Sequence, residues 1–160
     1  MAGFVSHYTN RLDAKGRVSI PAPFRAALAK DGYEGLYCFP SPMQSAVDAG
    51  GQGLIDEVQK RLDGFRTLTP DHDFVSTALF GFSETLKIDK DGRVSLTDTI
   101  KAHAGITDAV TFVGQGYKFQ IWEPGKFQEH RAEAMKRALA VLAGGTPDGA
   151  ALNQPEGSGQ

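Results

Sequence analysis

Two stretches of this chain, LDAKGRVSIP at residues 12–21 and IDKDGRVSLT at residues 88–97, place an aspartate four residues before an arginine and repeat GRVS verbatim. A guanidinium is a planar fork of donors that matches a phosphate or the edge of a guanine, and a carboxylate is the group that can hold such a fork still. Asp13 and Arg17, and likewise Asp89 and Arg93, are spaced to pair across a tight reversal. One reading is a surface ion pair that fixes a turn, although exposed pairs of this kind contribute little stability. The other is a carboxylate that orients an arginine toward a polyanion. The residues alone leave both open. The first stretch adds a cation at Lys15, whereas the second has Asp91 in that place.

Residues on both sides of each arginine alternate apolar and polar. Phe80, Phe82, Leu86, Ile88, Val94 and Leu96 share one parity, as do Phe4, Tyr8, Leu12, Val18 and Ile20. Period two predicts strands with one buried face, and Gly16 and Gly92 stand where each strand must reverse, so each copy is expected to begin as strand, tight turn, strand. The opposite parity exposes Arg11, Asp13, Lys15, Arg17 and Ser19 in the first copy. In the second it exposes Lys87, Asp89, Asp91, Arg93 and Ser95. A helix is predicted after each reversal. PAPFRAALAKDG has proline in its first turn and Gly32 as a stop, and Thr97 or Asp98 can cap a helix over TIKAHA closed by Gly105.

The copies align without gaps at an offset of 76 (89 minus 13), which places Arg25 on Lys101. Beyond the helices, an offset of 83 lays Leu36–Pro40 over Phe119–Glu123 and requires seven extra residues near Gly114–Tyr117 in the second copy. LYCF, AVTFVG and FQIW read as strands. A closing helix is expected in each copy, with Ile55, Val58, Leu62 and Phe65 as one stripe and Phe127, Arg131, Ala134, Met135, Ala138 and Leu142 as the other. The organisation expected is a first repeat over residues 4–66, a connector over 67–79 and a second repeat over 80–143. Residues 144–160, rich in Gly and Pro, read as a disordered tail.

Composition removes several function classes. With 41% hydrophobic and 22% charged residues, the 160-residue chain reads as an ordinary soluble domain. No apolar run approaches a membrane span, and the N-terminus lacks the apolar core of a signal peptide. Cys38 is the only cysteine, which rules out an internal disulfide and points to the cytoplasm. The net charge of −2 argues against nucleic acid only on average, because residues 1–30 carry Arg11, Lys15, Arg17, Arg25 and Lys30 against Asp13 alone. Residues 80–103 balance to zero. VGQGYK lacks the third glycine of a dinucleotide fingerprint, and Asp71-His72-Asp73 reads as a solvated turn. His7, His103 and His130 have no ligand spacing. Trp122 reads as core or interface, and Arg131, Lys136 and Arg137 as a solvated helix face. No catalytic residue, metal or cofactor is expected.

Two DxxxR turns, LDAKGRVSIPAPFR and IDKDGRVSLT, followed by VGQGYKFQIW, make residues 4–142 resemble the MraZ family of bacterial transcriptional regulators. That family stands at the head of the division and cell-wall gene cluster. The resemblance implies an α+β fold of two tandem AbrB-like β-hairpin/helix repeats with swapped hairpins, forming a pseudo-symmetric, double-split β-barrel-like domain. It further implies homo-oligomeric rings that bind double-stranded DNA at short direct repeats in their own promoter. A cytoplasmic, nucleoid-associated location follows, with no membrane or small-molecule partner. The implied DNA-contacting residues are Lys15, Arg17 and Arg93, oriented by Asp13 and Asp89, with Arg11, Ser19 and Lys90 in support. The family often has an arginine before the second motif, but DFVSTALFGFSETL has none. Two other functions compete with this one. One is a ring-forming interaction protein that binds a protein partner through the same turns. The other is an AbrB-type antitoxin.

Overall fold

The computed structural model describes residues 3–144 and is α+β. It divides into two compact units, Met1–Pro124 and Gly125–Gln160. The expected disordered tail lies, from residue 145 onward, outside the described residues.

In the first unit, β1 (His7–Arg11) leads through the first reversal into β2 (Arg17–Ser19) and helix α1 (Ala22–Asp31). Then come β3 (Leu36–Pro40), β4 (Val47–Gly50) and helix α2 (Gln52–Leu62). Helix α3 (Pro70–Ser76) runs on into a π-helical turn over Thr77–Gly81. The second half has β5 (Glu84–Leu86), β6 (Arg93–Ser95), helix α4 (Asp98–Ala104), β7 (Ala109–Gly114) and β8 (Phe119–Trp122).

The strands form an open, antiparallel six-stranded sheet, β1-β7-β8-β4-β3-β5, and a separate two-stranded ribbon, β2-β6. No closed barrel forms among the described residues, in contrast to the barrel-like expectation. Nor do the two arms of either turn pair as a hairpin. β1 pairs with β7, β5 with β3, and β2 with β6 of the other copy. Alternation fixes which face of a strand is buried but does not choose its partner.

The pairing has an internal two-fold. In the ribbon, Val18 faces Val94, and in the sheet Asp48 faces Gln120. Reading the sheet order from its two ends matches β1 with β5, β7 with β3 and β8 with β4. This corrects the offset of 83: Leu36–Pro40 corresponds to β7 and not to β8. Val110 stands beside Asn10 as Leu36 stands beside Leu86, an offset of 74 (110 minus 36). No seven-residue insertion exists. β4, whose sequence is VDAG, carries a buried aspartate and two small residues and so gives no strand signal by which the true register could be read.

β3 is buried on both sides, which accounts for its unbroken apolar run. Leu36 and Cys38 face one cluster, in which Val18 and Val94 of the ribbon and Phe24, Leu28, Ile100 and Ala104 of α1 and α4 cover the sheet. Tyr37 and Phe39 face the other, where Leu54, Val58 and Leu62 of α2 pack. Phe24 is fully buried, its ring centroid 4.9 Å from that of Phe119 and 5.4 Å from that of Phe4. On the sheet, Asp48 is buried but accepts from Lys118 and from Gln120 Nε2, so its charge is paired.

The helix ends follow local chemistry. Thr97 Oγ1 accepts from the Ile100 N–H, and Gly32 and Gly105 close α1 and α4 in the left-handed region. The region 80–88 departs from the period-two expectation. Thr69 caps α3 and Pro70 opens it, so the helical backbone continues through Phe80, and only Glu84–Leu86 is a strand. Phe80 packs beside the Tyr37 cluster, while Phe82 is exposed. Asp71-His72-Asp73 is the first turn of α3 and not an irregular turn. No group of three or more metal-ligating side chains occurs among the described residues.

The second unit is described through helix α5 (Pro124–Leu142), whose first residue ends the first unit. Arg131, Lys136 and Arg137 lie exposed on it, and Arg137 Nε bonds Glu133 Oε2 at 2.7 Å. No helix among the described residues is long and apolar enough to cross a membrane.

Candidate nucleic-acid interface

Each reversal is built by one carboxylate. Asp13 Oδ1 accepts the backbone N–H groups of Lys15 and Arg17, both at 2.9 Å, and the Asp13 N–H donates to the Arg17 carbonyl at 2.8 Å. Asp89 repeats this with the N–H groups of Asp91 and Arg93, again at 2.9 Å. Such aspartate-to-backbone bonds pre-set a turn. Gly16 and Gly92 complete the reversals at φ of 79° and 80°, a region costly to side chains.

The second carboxylate oxygen does a different job. Asp13 Oδ2 accepts from Arg17 Nε at 2.7 Å, and Asp89 Oδ2 accepts from Arg93 Nε at 3.0 Å. The same aspartate therefore closes the turn with one oxygen and fixes the arginine with the other, so the two readings of the spacing are not exclusive. Both carboxyls are held below the usual carboxylate range. The backbone N–H of the arginine is the main cause, and its side chain and the N–H two residues after the aspartate add to it.

Pairing β2 with β6 brings the two turns together. Arg17 faces Ser95 and Ser19 faces Arg93, while Val18 and Val94 point into the core. Strand alternation puts Arg17, Ser19, Arg93 and Ser95 on one outer face. The arginines stand on its diagonal, with Cα atoms about 8 Å apart from a ~3.4 Å rise and ~4.8 Å strand spacing. Each arginine side chain is 30% exposed. The sheet supports the ribbon from below through Asn10, whose Nδ2 donates to the Ser19 carbonyl at 2.8 Å.

The remaining expected residues gather at the two ends of this face. Lys15 and Lys90 are exposed on the two turns, and Arg11 ends β1 beside the first. The turns differ in one respect. Arg93 Nη2 also bonds Asp91 Oδ2 at 3.1 Å, so its fork is engaged by two carboxylates, whereas among the described residues Arg17 pairs with the single carboxylate of Asp13. Sequence reasoning exposed Ser95 by parity but left it out of the candidate set. The 76-residue offset from Ser19 was the available signal.

The likeness to known proteins is extensive. The chain is 58% identical over 137 residues to the transcriptional regulator MraZ of Methylocella silvestris, covering 86% of this chain and 84% of that relative. The chain belongs to the MraZ family. Further MraZ relatives are those of Beijerinckia indica, 59% identical over 86% of this chain and 84% of the relative, and of Xanthobacter autotrophicus, 56% identical over 86% and 87%. A family model described as "MraZ protein, putative antitoxin-like" matches residues 79–140. MraZ proteins are named as transcriptional regulators and are not enzymes.

Proposed function

We propose that this MraZ-family chain is a sequence-specific, double-stranded-DNA-binding regulator of its own division and cell-wall gene cluster. The β2-β6 ribbon enters the major groove, about 12 Å wide and able to admit a two-stranded ribbon. Arg17 and Arg93 read base edges there, Lys15 contacts phosphate, and Asp13 and Asp89 hold the forks in place. Arg11, Ser19 and Lys90 add contacts at the margins. The observation that carries this reading is the outer ribbon face, where two clamped arginines lie side by side above a buried valine pair.

Residues 4–66 and 80–143 act as two AbrB-like repeats joined by 67–79, a division supported by the mirrored strand order of the sheet. Copies of the chain assemble into a ring, so that several faces engage short direct repeats at once and gain affinity because each later contact is intramolecular. The exposed Phe74 and Phe82 are surface that such an assembly could cover. The protein acts in the cytoplasm, on the nucleoid.

The test is a binding titration with the duplex immediately upstream of the chain's own gene. Arg17→Ala is expected to abolish binding to the repeats while light scattering reports an unchanged oligomer. Equal binding by variant and wild type would overturn the reading.

A further inference from the structure

Each turn has a third cation beside it that comes from the other copy. β2 ends against the second turn, where the Ile20 N–H donates to the Gly92 carbonyl at 2.9 Å, and α1 begins two residues later. That brings Arg25, in the first turn of α1, over Gly92. A Cβ placed on Gly92 would meet Arg25 Cδ at 2.5 Å, Nε at 2.7 Å and Cζ at 2.9 Å. The two-fold repeats the arrangement. The Leu96 N–H donates to the Gly16 carbonyl at 3.2 Å, and a Cβ on Gly16 would lie 3.7 Å from Lys101 Nζ. Arg25 and Lys101 occupy the same position in the two copies, so the crossed placement occurs twice. Lys101 also lines an open cleft of 280 Å³ with Arg11, Asp13 and Gly16.

These contacts change the charge of the turns. Lys90 and Arg93 are balanced by Asp89 and Asp91, so the second turn is neutral by itself. Arg25 makes it net cationic. The first turn, already positive through Lys15 and Arg17 against Asp13, gains Lys101. Arg25 is anchored by donating Nη1 to the Ile20 carbonyl, and Lys101 lies 3.6 Å from the fully exposed Asp98. Both side chains are half-buried, Arg25 beside Gly92 and Lys101 beside Gly16.

We infer that Arg25 and Lys101 are further DNA-binding residues, each contacting a backbone phosphate beside the turn of the opposite copy, so that the second turn, neutral by itself, engages DNA through a cation supplied by α1. This rests on the ribbon face binding DNA as proposed above. Phosphate contacts position a protein without reading sequence, which separates their signature from that of Arg17.

The experiment measures binding of wild type, Arg17→Ala, Arg25→Gln, Arg25→Lys and Lys101→Gln to two duplexes, the one upstream of the chain's own gene and a scrambled one of equal length. Salt is varied, and thermal melts confirm folding. Arg25→Gln and Lys101→Gln are each expected to weaken both duplexes by the same factor. Each should also lower the log–log salt slope by about 0.9, which makes the affinity lost between roughly 50 and 200 mM salt about 3.5-fold smaller. Arg25→Lys should restore the slope. Because Arg25 holds the Ile20 carbonyl, Arg25→Gln could unfold, in which case Lys101→Gln and Arg25→Lys carry the result. In double variants, Arg25→Gln should couple with Arg93→Lys and add independently to Arg17→Lys, lysine variants that keep measurable binding. Wild-type slopes in both glutamine variants, with binding lost in Arg17→Ala, would overturn this inference and leave the DNA-binding reading intact. Coupling of Arg25 to Arg17 in place of Arg93 would overturn the crossed assignment. Failure of wild type to bind either duplex would overturn both.

Discussion

Arg17→Lys separates charge from geometry at the ribbon face. Arg17 uses Nε to hold Asp13 Oδ2 at 2.7 Å, which leaves the outer edge of the guanidinium to turn toward a ligand. Lysine keeps the positive charge but has a single ammonium, so it can satisfy Asp13 or reach a base, not both. A bidentate arginine–guanine contact discriminates by about 1–3 kcal/mol, or roughly 5- to 150-fold in the ratio of specific to non-specific affinity. Arg17→Lys should lose a factor of that size while its salt slope and affinity for scrambled DNA stay near wild type. Arg93→Lys should lose less, because Asp91 already engages Arg93 Nη2. Competition anisotropy with promoter and scrambled duplexes reads both quantities. A wild-type specificity ratio in Arg17→Lys would refute the idea that the clamped fork reads sequence.

Three further outcomes are expected. Phe24→Ala, which empties a fully buried site ringed by Phe4, Tyr8, Phe112 and Phe119, should cost about 3–5 kcal/mol, and a fall in melting temperature below about 5 °C would contradict that packing. Asp13 and Asp89 have depressed pKa values, so their stabilising contribution is complete above the ordinary carboxylate value of 3.8 and is lost as pH falls below it. A melting profile in which Asp13→Asn and wild type diverge above 3.8 and converge below it would agree, and one in which they never differ would not. Burial pushes the Cys38 thiol up to about 12, so a thiol reagent at pH 8 should react only as fast as the protein unfolds, and immediate labelling of the native protein would contradict its burial.

The turns and the first helices were legible because their signals are local. Asp13, Gly16 and Arg17 lie within one reversal, and Thr97 and Gly105 cap α4 from adjacent positions. The mates of β1, β2 and β5 were not legible, since period two reports burial and not partnership. The consequence for function is large. Two turns that read as separate surfaces are in fact two ends of one ribbon, through the Val18–Val94 pairing. The same crossing hid Arg25 and Lys101, each of which lies beside a turn 67 (92 minus 25) or 85 (101 minus 16) residues away along the chain. Phe80 and Phe82 misled for another reason. Their alternation matched a strand by parity, but Thr69 and Pro70 had already started a helix that carried through them.

Site-specific photocrosslinking from the outer ribbon face tests most directly whether the two copies form one DNA-binding surface. Ser19 and Ser95 are exposed there beside Arg93 and Arg17 respectively, and Glu34 is exposed in the loop before β3. With a photoreactive residue in place of each in turn, Ser19 and Ser95 should both crosslink to the upstream duplex, and Glu34 should not. Binding that persists with no crosslink from either serine would contradict the ribbon as the DNA-reading face.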